Sequence, residues 1–373
     1  MVNKTIGDIC NIISGYAFDS KLFTDNSQDT PLIRIRDVMR GYTTTYTKEN
    51  FDKKYIVKNG DLLIGMDGEF NIAPWNSVDA LLNQRVCKIW CSSNEVIEKY
   101  VLYFLPKALK DIERATSFVT VKHLSVKTIK EIPISILPLD KQKQIVKTLD
   151  TAAELLAMRK QQLARLDNLI KSTYFEMFGD PITNEKEWDI KKLSEIGDLN
   201  RGISKHRPRN EPALLGGAHP LIQTGDVANA DFIIKEYKQT YSDLGLQQSK
   251  KWDAGTLCIT IAANIAKTAI LGFDACFPDS VVGFTANEQT NNIFVYLWFD
   301  FSQKIIEAQA PESAQKNINL KILNDLDIIV PPIELQTQFA NIVTKIEEQK
   351  SLVKQAIDET QHLFDSLMSE YFE

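Results

Sequence analysis

The side chains best suited to chemistry in this 373-residue chain are basic residues of a short segment in its second half. Residues 201–209 read RGISKHRPR. The basic residues are Arg201, Lys205, His206, Arg207 and Arg209. Pro208 and the polar residues around it predict a loop. Because arginines on a loop can reach phosphates and pair with guanine edges, we predict that these five residues contact nucleic acid. The alternative is a solvated basic loop without a ligand.

Further candidates for nucleic-acid contact lie in both halves of the chain. They are Arg34, Arg36, Phe70, Asn71, Asn264 and Lys267. Arg34 and Arg36 stand at the end of a predicted strand, two residues apart, so their side chains would share one strand face. Phe70 and Asn71 belong to a turn-rich loop, GMDGEFNIAPW, where asparagine can read adenine and an aromatic ring can contact a thymine methyl group. Asn264 and Lys267 occupy the matching loop of the second half. The alternatives are ordinary surface charge for the arginines and a place in the core for Phe70.

Signatures of catalysis and of cofactor binding are missing from the sequence. It contains no NPPY- or DPPY-type motif and no glycine-rich loop after a strand, so a methyl-donor site is not predicted. Ile261–Thr268 (IAANIAKT) matches a phosphate-binding loop only in its final Lys-Thr pair and lacks both glycines. The four histidines lack metal-ligand spacing. We expect no catalytic residue, no metal and no cofactor in this chain. An enzyme with an unrecognised site, such as a nuclease, is one alternative.

The charge balance excludes a wholly basic nucleic-acid binder. Forty-three Lys and Arg against 49 Asp and Glu give a net charge of −6. Residues 1–140 hold 18 basic and 17 acidic residues, net +1, and residues 181–333 hold 15 and 19, net −4. Any nucleic-acid binding must therefore depend on clustered basic faces.

The sequence also favours a cytoplasmic protein. The N-terminal residues MVNKTIGDIC lack the apolar region of a secretory signal, and no apolar run is long enough to span a membrane. The five cysteines are an odd number without CxxC spacing, which argues against a disulfide framework and a zinc site. Free thiols are typical of a reducing compartment.

The elements that must position these residues occur twice along the chain. KTIGDICNIISG at 4–15 matches KKLSEIGDLNRG at 191–202, and PLIRIRDV at 31–38 matches PLIQTGDV at 220–227. NGDLLI at 59–64 matches AGTLCI at 254–259, and LSVKTIKEIPISILPL at 124–139 matches INLKILNDLDIIVPPI at 318–333. The four offsets are 187, 189, 195 and 194 residues. Since the blocks keep their order at nearly constant offsets, we infer a tandem duplication.

Each half ends in a long helical pattern with the four-three spacing of a coiled coil. The predicted interface residues of the first helix are Ile145, Leu149, Leu156, Leu163, Leu166 and Ile170. Those of the second are Phe339, Val343, Ile346, Val353, Ile357, Phe364 and Leu367. Polar residues interrupt both seams and can fix the register: Arg159, Thr173, Lys350 and Thr360. At 1.5 Å per residue each helix would be roughly 57 Å long. Two helices of equal length favour mutual packing over two separate surface helices.

We expect an α+β fold with two mixed α/β domains in tandem, each followed by a long helix. The predicted domains are residues 1–139 and 180–333, and the predicted helices are residues 140–179 and 334–373. Short strands are predicted at 32–35, 62–64, 86–90, 221–223, 257–261 and 269–273, with helices near 98–114 and 292–309. The two long helices are expected to form an antiparallel coiled coil that relates the two domains by pseudo-twofold symmetry.

These residues and repeats resemble a known family, the specificity subunits of type I restriction-modification systems. The helix start PISILPLDKQKQIVKTLD, the helix end MFGDP and the second start IIVPPIELQTQFANIVTKIE are similar to the conserved helices of that family. RGISKHRPRN, HPLIQTGDVANA and ITIAANIAKTAIL are similar to one of its target recognition domains, and LLIGMDGEFNIAPW to another. The resemblance spans essentially the whole chain.

The resemblance implies that each target recognition domain reads one half of a split site in double-stranded DNA. It implies that the helices set the spacing between the half-sites and dock two modification subunits, which bind S-adenosylmethionine and methylate adenine. Restriction subunits would add cleavage driven by ATP with Mg²⁺. The alternative, from another class, is a protein scaffold with duplicated interaction domains that binds no DNA.

Overall fold

The computed structural model describes residues 2–115, 122–262, 266–308 and 318–372, without the side chains of 304–308. The chain divides into two units. The first unit comprises Met1–Met158 and Ile357–Glu373, and the second comprises Arg159–Ala356. The boundary between the units therefore crosses both long helices.

The first unit contains a two-stranded ribbon, a central antiparallel sheet and a second sheet. Its described strands are β1 (Val2–Thr5), β2 (Cys10–Ser14), β3 (Phe23–Thr24), β4 (Thr30–Ile33), β5 (Tyr46–Thr47), β6 (Ile56–Val57), β7 (Leu62–Gly65), β8 (Asn71–Pro74), β9 (Ala80–Leu82), β10 (Val86–Cys91) and β11 (Pro133–Ile136). Its helices are α1 (Ile6–Ile9), α2 (Glu98–Ala115), α3 (Val126–Lys130) and the first half of α4 (Leu139–Phe178). The ribbon pairs β1 with β11, the central sheet has the order β2-β10-β7-β8, and the second sheet has the order β3-β5-β4-β9-β6.

The second unit repeats this arrangement. Its described strands are β12 (Ile190–Lys192), β13 (Gly197–Arg201), β14 (Leu215–Leu221), β15 (Ile233–Ile234), β16 (Gln239–Tyr241), β17 (Lys251–Trp252), β18 (Leu257–Thr260), β19 (Thr268–Leu271), β20 (Ala275–Cys276), β21 (Val281–Ala286) and β22 (Asp327–Ile329). Its helices are the second half of α4, α5 (Thr224–Asn229), α6 (Asp243–Gln247), α7 (Asn292–Ala308), α8 (Leu320–Asn324) and the larger first part of α9 (Ile333–Phe372), whose remaining residues belong to the first unit. The ribbon pairs β12 with β22, and the sheets have the orders β13-β21-β18-β19-β15 and β16-β14-β20-β17.

The internal repeat inferred from the sequence is confirmed by this topology. In both units the second sheet contains one parallel pair, β4 with β9 and β14 with β20. All other pairs of the central sheets are antiparallel, apart from the extra edge strand β15 beside β19. The same order of elements therefore folds twice.

Burial along the two long helices follows the predicted seam. Ile145, Leu149 and Ile170 of α4 are buried, and Leu156, Leu163 and Leu166 are half-buried. Residues on the other faces, such as Met158 and Leu169, are exposed at 59% and 48%. In α9 the predicted positions from Phe339 to Val353 are buried, and the later ones are half-buried. The four-three spacing thus identifies the inward face of each helix.

The two helices pack antiparallel within each unit. In the second unit the rings of Tyr174 and Phe339 lie 5.6 Å apart, and Lys350 Nζ lies 2.7 Å from Asp167 Oδ1. As residue numbers rise along α4, the residues that they contact in α9 have falling numbers. The two helices therefore run in opposite directions. In the first unit the N-terminal half of α4 and the C-terminal half of α9 enter the same core, around Leu149 and Leu367. The predicted antiparallel pairing of the helices is confirmed.

Lys350 is a polar residue of the seam that is buried with its charge paired. Its ammonium group donates to Glu347 and Asp167, each at 2.7 Å. Burial alone would lower the pKa of Lys350, but these two hydrogen bonds raise the pKa above its usual value. Across the same seam the Arg159 guanidinium donates to the Ala356 carbonyl oxygen. Since each polar group needs its own partner, such contacts favour one register over its neighbours.

A fully buried glutamine joins each sheet domain to the helix that follows it. Gln142 Nε2 donates to the carbonyl oxygens of Glu95 and Leu137, both at 2.8 Å, and Gln142 Oε1 accepts from the Ile97 amide at 2.9 Å. The other unit repeats these contacts at the matching position of α9. Gln336 Nε2 donates to the carbonyl oxygens of Gln289 and Pro331 at 3.1 and 2.7 Å, and Gln336 Oε1 accepts from the Asn291 amide at 3.1 Å. The helix start is thereby fixed to the loop before α2 or α7.

Two strand predictions are wrong at their ends for one physical reason. The strand predicted at 32–35 ends at Ile33, and the strand predicted at 221–223 ends at Leu221. Asp37 accepts from the Arg34 amide at 2.8 Å, and Asp226 accepts from the Gln223 amide at 2.8 Å. Each aspartate satisfies an amide at the start of a helical turn, and this cap ends the strand.

Candidate nucleic-acid interface

In the second unit, three segments meet at one end of the central sheet. Strand β13 ends at Arg201 and leads into the basic loop, while β18 ends at Thr260 and β21 begins at Val281. The Gly202 amide donates to the Val281 carbonyl at 2.8 Å, and the Ile261 amide donates to the Ser280 carbonyl at 3.1 Å. These bonds place the basic loop beside Asp279 and Ser280.

Gly202 is required for this close approach. A Cβ atom at Gly202 would lie 2.3 Å from the carbonyl oxygens of Phe277 and Pro278. The corresponding residue of the first unit is Gly15, where a Cβ atom would lie 2.0 Å from the Asn83 carbonyl oxygen. In both units only glycine lets the chain leave the sheet at this point.

Three arginines of the basic loop converge on Asp279. The Arg201 guanidinium donates through Nε and Nη2 to the Asp279 carbonyl oxygen, at 2.9 and 2.6 Å. Arg207 Nη2 lies 3.4 Å from one carboxylate oxygen of Asp279, and Arg209 donates to the other. The side chains of Arg207 and Arg209 are still 54% and 45% exposed. The cluster thus presents surplus positive charge to solvent.

A cleft borders this arginine cluster. It has a volume of about 370 Å³, and its described lining includes Arg201, Arg209, Asp279 and Ser280, together with Asn319 at the start of α8. Positive charge beside a recess of this size suits an anionic ligand with a projecting group, such as a phosphate or a base edge.

The first unit has a basic group at the same end of its central sheet. There the Gly15 amide donates to the Val86 carbonyl and the Met66 amide donates to the Arg85 carbonyl, both at 2.9 Å. Arg85 Nε lies 3.2 Å from Asp67, and the Nδ1 atom of His123 lies 2.6 Å from the same carboxylate. The side chains of Arg85 and His123 are both 50% exposed. A carboxylate therefore gathers basic side chains at this end of both sheets.

The predicted residues of the second unit lie at or near this end. Lys205 and His206 are exposed in the loop, and the His206 amide donates to Gln248 Oε1 at 3.0 Å. Lys267 is exposed just before β19, and its Nζ donates to Gln303 at 3.0 Å. Asn264 lies outside the described residues. As contacts of nucleic acid these residues stay predictions.

The prediction for Arg34 and Arg36 needs correction in its geometry. Both side chains are exposed, but Arg34 caps the 3₁₀ turn Ile35–Asp37, so the two arginines do not share a strand face. A Cβ atom at Gly65 would lie 3.2 Å from Ile35, which places the turn beside the end of β7.

The structure places Phe70 in the core of the first unit. Phe70 is 6% exposed, and its amide donates to Glu113 at 3.0 Å. This burial favours the alternative that Phe70 anchors the loop. The neighbouring Asn71 is half-buried, and its Nδ2 donates to the Glu69 carbonyl at 3.2 Å.

The sequence predictions missed Arg85, His123 and the two carboxylates Asp67 and Asp279. Arg85 and Asp279 each stand just before a strand that the repeat aligns, β10 or β21. That alignment was the available signal for placing Arg85 at the same end as the basic loop. His123 is distant from Asp67 along the chain, and no local pattern joins them.

In the described part of the chain, no group of three His, Cys, Asp or Glu side chains could hold a metal ion. Among the described helices, none is long and apolar enough to cross a membrane.

Known proteins are similar to this chain in sequence and in fold. A family model described as the type I restriction modification DNA specificity domain matches residues 1–168 and 185–361. The type I restriction enzyme EcoBI specificity subunit of Escherichia coli is 28% identical over 400 residues, covering 99% of this chain and 84% of that protein. The S subunit of a type I restriction-modification system from M. genitalium has a similar structure, with a TM-score of 0.64 at 15% identity over 100% of this chain and 96% of that one. A chain from a structure described as the structural basis of complex assembly and conformational transition of the type I R-M system has a TM-score of 0.58, also at 15% identity, over 100% and 97% of the two chains.

These likenesses confirm the predicted fold class, two tandem α/β recognition domains with a long helix after each. The two segments matched by the family model each cover one repeat, and together they account for most of the chain. The chain therefore belongs to the type I restriction-modification DNA specificity family, as a specificity subunit whose function is recognition of a DNA sequence.

Proposed function

We propose that each recognition domain reads one half of a bipartite site in double-stranded DNA through the basic end of its central sheet. One observation carries this proposal: the same end of the sheet holds a basic group in both units. Arg85 and His123 supply it in the first unit, and Arg201, Arg207 and Arg209 in the second. Exposed guanidinium groups suit phosphates and guanine edges.

The paired helices are proposed to set the spacing between the half-sites and to dock the modification subunits. Each helix is continuous over 40 residues and contributes to both units. Large apolar side chains stand exposed away from the seam, among them Met158, Leu352 and Leu363 at 59%, 67% and 52%. Exposed apolar side chains on a regular helix face suit the docking of another protein.

The chemistry is proposed to belong to partner subunits in the cytoplasm. Modification subunits bind S-adenosylmethionine and methylate an adenine that has left the duplex stack. Restriction subunits, where they accompany this chain, use ATP with Mg²⁺. This chain supplies the sequence specificity and the framework, and holds no catalytic residue.

The alternative of a protein scaffold that binds no DNA is not supported, because the DNA specificity domain model matches both halves of the chain. The clustered arginines also favour contact with DNA, although the total charge is −6. The salt dependence of duplex binding measures the phosphate contacts, because each neutralised phosphate releases counterions and steepens the slope of log K against log salt by about 0.9. A slope near zero would contradict binding through the basic sheet ends.

The deciding experiment is methylation mapping of the host genome by long-read sequencing, with and without this gene. Loss of one split, adenine-methylated motif on deletion is expected, and it names both half-sites at once. Restoration by the wild-type gene on a plasmid is the control. Unchanged methylation in a strain whose modification subunits are active would contradict the proposal.

Replacement of two arginines tests the independence of the half-sites. The Arg207→Ala/Arg209→Ala double variant is expected to weaken recognition of one half-site by about ten- to hundredfold and to leave the other half-site unaffected. The matched control is Lys235→Ala, since Lys235 follows β15 at the opposite end of the same sheet. Binding to duplexes with either half-site scrambled measures the effect, and equal losses at both half-sites would argue against independent domains.

A further inference from the structure

Two acidic residues stand where a DNA-binding surface is expected to avoid negative charge. Asp279 lies among three arginines, and Asp67 lies between Arg85 and His123. Both carboxylates are partly exposed, with 34% and 23% of their side-chain surface accessible. A phosphate backbone approaching either group meets repulsion from the carboxylate, which weakens sequence-independent binding.

The contacts of Asp279 fix the direction of each arginine. Its two carboxylate oxygens take separate partners, since Arg207 approaches one and Arg209 donates to the other. Its backbone oxygen holds Arg201 by two donors of one guanidinium group. Arg207 is held from a second side, because its Nη1 also donates to the Ser204 and His206 carbonyl oxygens at 2.5 and 2.8 Å. A long side chain restrained in this way has lost much of its rotamer freedom before any ligand binds.

The carboxylate of the first unit, that of Asp67, also contacts basic side chains, but these are different residues. Arg85 Nε faces one oxygen of Asp67 at 3.2 Å, and the Nδ1 atom of His123 lies 2.6 Å from the other. The peptide around Arg85 is itself constrained, since its φ angle is +77° and its carbonyl accepts from Met66. The two carboxylates come from different parts of the repeat: Asp67 follows β7, while Asp279 precedes β21.

From these contacts we propose that Asp67 and Asp279 are positioning residues for sequence specificity. Each acts through the basic side chains that it holds. It orients them for one arrangement of base edges and phosphates, and its negative charge suppresses binding to DNA of any other sequence. The proposal rests on the proposed function, because it assigns the specificity of the same DNA-reading sheet ends.

Asp279→Asn tests this role with almost no change in shape. The full-length chain, assembled with its modification subunits, is titrated against three fluorescent duplexes, one with both half-sites and two with either half-site scrambled. We expect affinity for the duplex with both half-sites to fall on the order of tenfold. Affinity for the duplex whose scrambled half-site is the one read by the second unit is expected to rise a few-fold at low salt. The slope of log K against log salt for scrambled DNA becomes steeper by about one, because one opposing charge is gone. A change that only damaged the fold would lower both affinities together.

Three further variants keep the proposal falsifiable. Asp67→Asn is expected to relax the half-site that Asp279→Asn leaves intact. Asp253→Asn removes the same charge at the opposite end of the sheet, just before β18, and is expected to change neither the discrimination nor the slope. In the Arg207→Ala/Arg209→Ala background, Asp279→Asn is expected to have little added effect on discrimination, since Asp279 acts through those arginines.

The outcomes separate this proposal from the function on which it rests. If the wild-type assembly does not discriminate the duplexes, the proposed DNA recognition fails. If the wild type discriminates and Asp279→Asn discriminates equally well, the recognition stands and the positioning role is overturned. The role is overturned too if Asp279→Asn loses affinity for all three duplexes in parallel with a lowered melting temperature.

Discussion

At the scale of single residues, the buried glutamines and the carboxylates at the sheet ends perform different tasks. Gln142 and Gln336 use both the donor and the acceptor of their amide groups inside the protein, and both side chains are fully buried. Asp67 and Asp279 hold basic groups at the surface. Gln142 and Gln336 hold segments of the backbone together, whereas Asp67 and Asp279 arrange side chains for a ligand.

Gln142→Leu is expected to destabilise the first unit by about 2–3 kcal/mol. The substitution leaves the Ile97 amide and the Leu137 carbonyl without their partner, and unsatisfied buried polar groups cost about 1–3 kcal/mol each. Urea unfolding measures the loss, and hydrogen exchange at the Ile97 amide locates it. The control is Gln144→Leu, an exposed glutamine of the same helical turn.

The repeat supplies a second, independent copy of this test. Gln336→Leu is expected to speed exchange at the Asn291 amide, with the exposed Gln338 as its control position. Unchanged exchange at Ile97 and Asn291 in the respective variants would mean that other contacts hold these loops to the helices.

The sequence predicts single residues well where the signal is local. The loop at 201–209 carries five basic residues in nine positions, and its exposure follows from proline and polar neighbours. Asp279 is distant from Arg209 along the chain, and only the pairing of β13 with β21 brings the two segments together. No local sequence pattern links a carboxylate to basic residues that are distant along the chain. The sequence therefore does not predict the roles of Asp67 and Asp279.

At the scale of elements, the paired helices are the most predictable part of the chain. A four-three spacing depends only on neighbouring turns, so the buried face can be found without knowing the partner. The ends of β4 and β14 were less predictable, because a strand and a capped turn compete there. The aspartate of each cap decides that competition by accepting one amide hydrogen bond.

Leu166→Asp is expected to destabilise the second unit by about 2 kcal/mol or more, because Leu166 packs against its core and a carboxylate there loses water. Leu169→Asp makes the same chemical change three residues along the same helix, at a side chain that is 48% exposed. Its effect should stay within about 0.5 kcal/mol. Because both variants change helix propensity and charge alike, the difference between their urea midpoints isolates the seam. Equal midpoints would refute the assignment of the buried face.

At the scale of the whole molecule, four short sequence matches at nearly constant offsets predict the tandem architecture. The repeat also predicts that equivalent functional groups occur in both halves. It does not predict which loops gather at one end of a sheet, because that depends on the strand order β2-β10-β7-β8 and its counterpart. The two basic groups lie at the same end of equivalent sheets but come from different segments of the repeat, since Arg85 precedes β10 and Arg201 ends β13.

The proposed spacing role of the helices predicts how longer helices change the DNA site. Heptads are inserted in register in both helices where the units divide, between Met158 and Arg159 and between Ala356 and Ile357. Three heptads add about 31 Å at 1.5 Å per residue, close to one DNA turn of 34–36 Å. We expect this variant to methylate the same half-sites with a spacer about nine base pairs longer, as read by long-read sequencing.

One heptad adds about 10 Å at the same rise per residue, or about three base pairs. That insertion turns the second half-site about a third of the way around the duplex, so methylation should be lost. Three heptads in α4 alone break the pairing with α9 and serve as the control. An unchanged spacer in the three-heptad variant would show that contacts other than the helices set the distance.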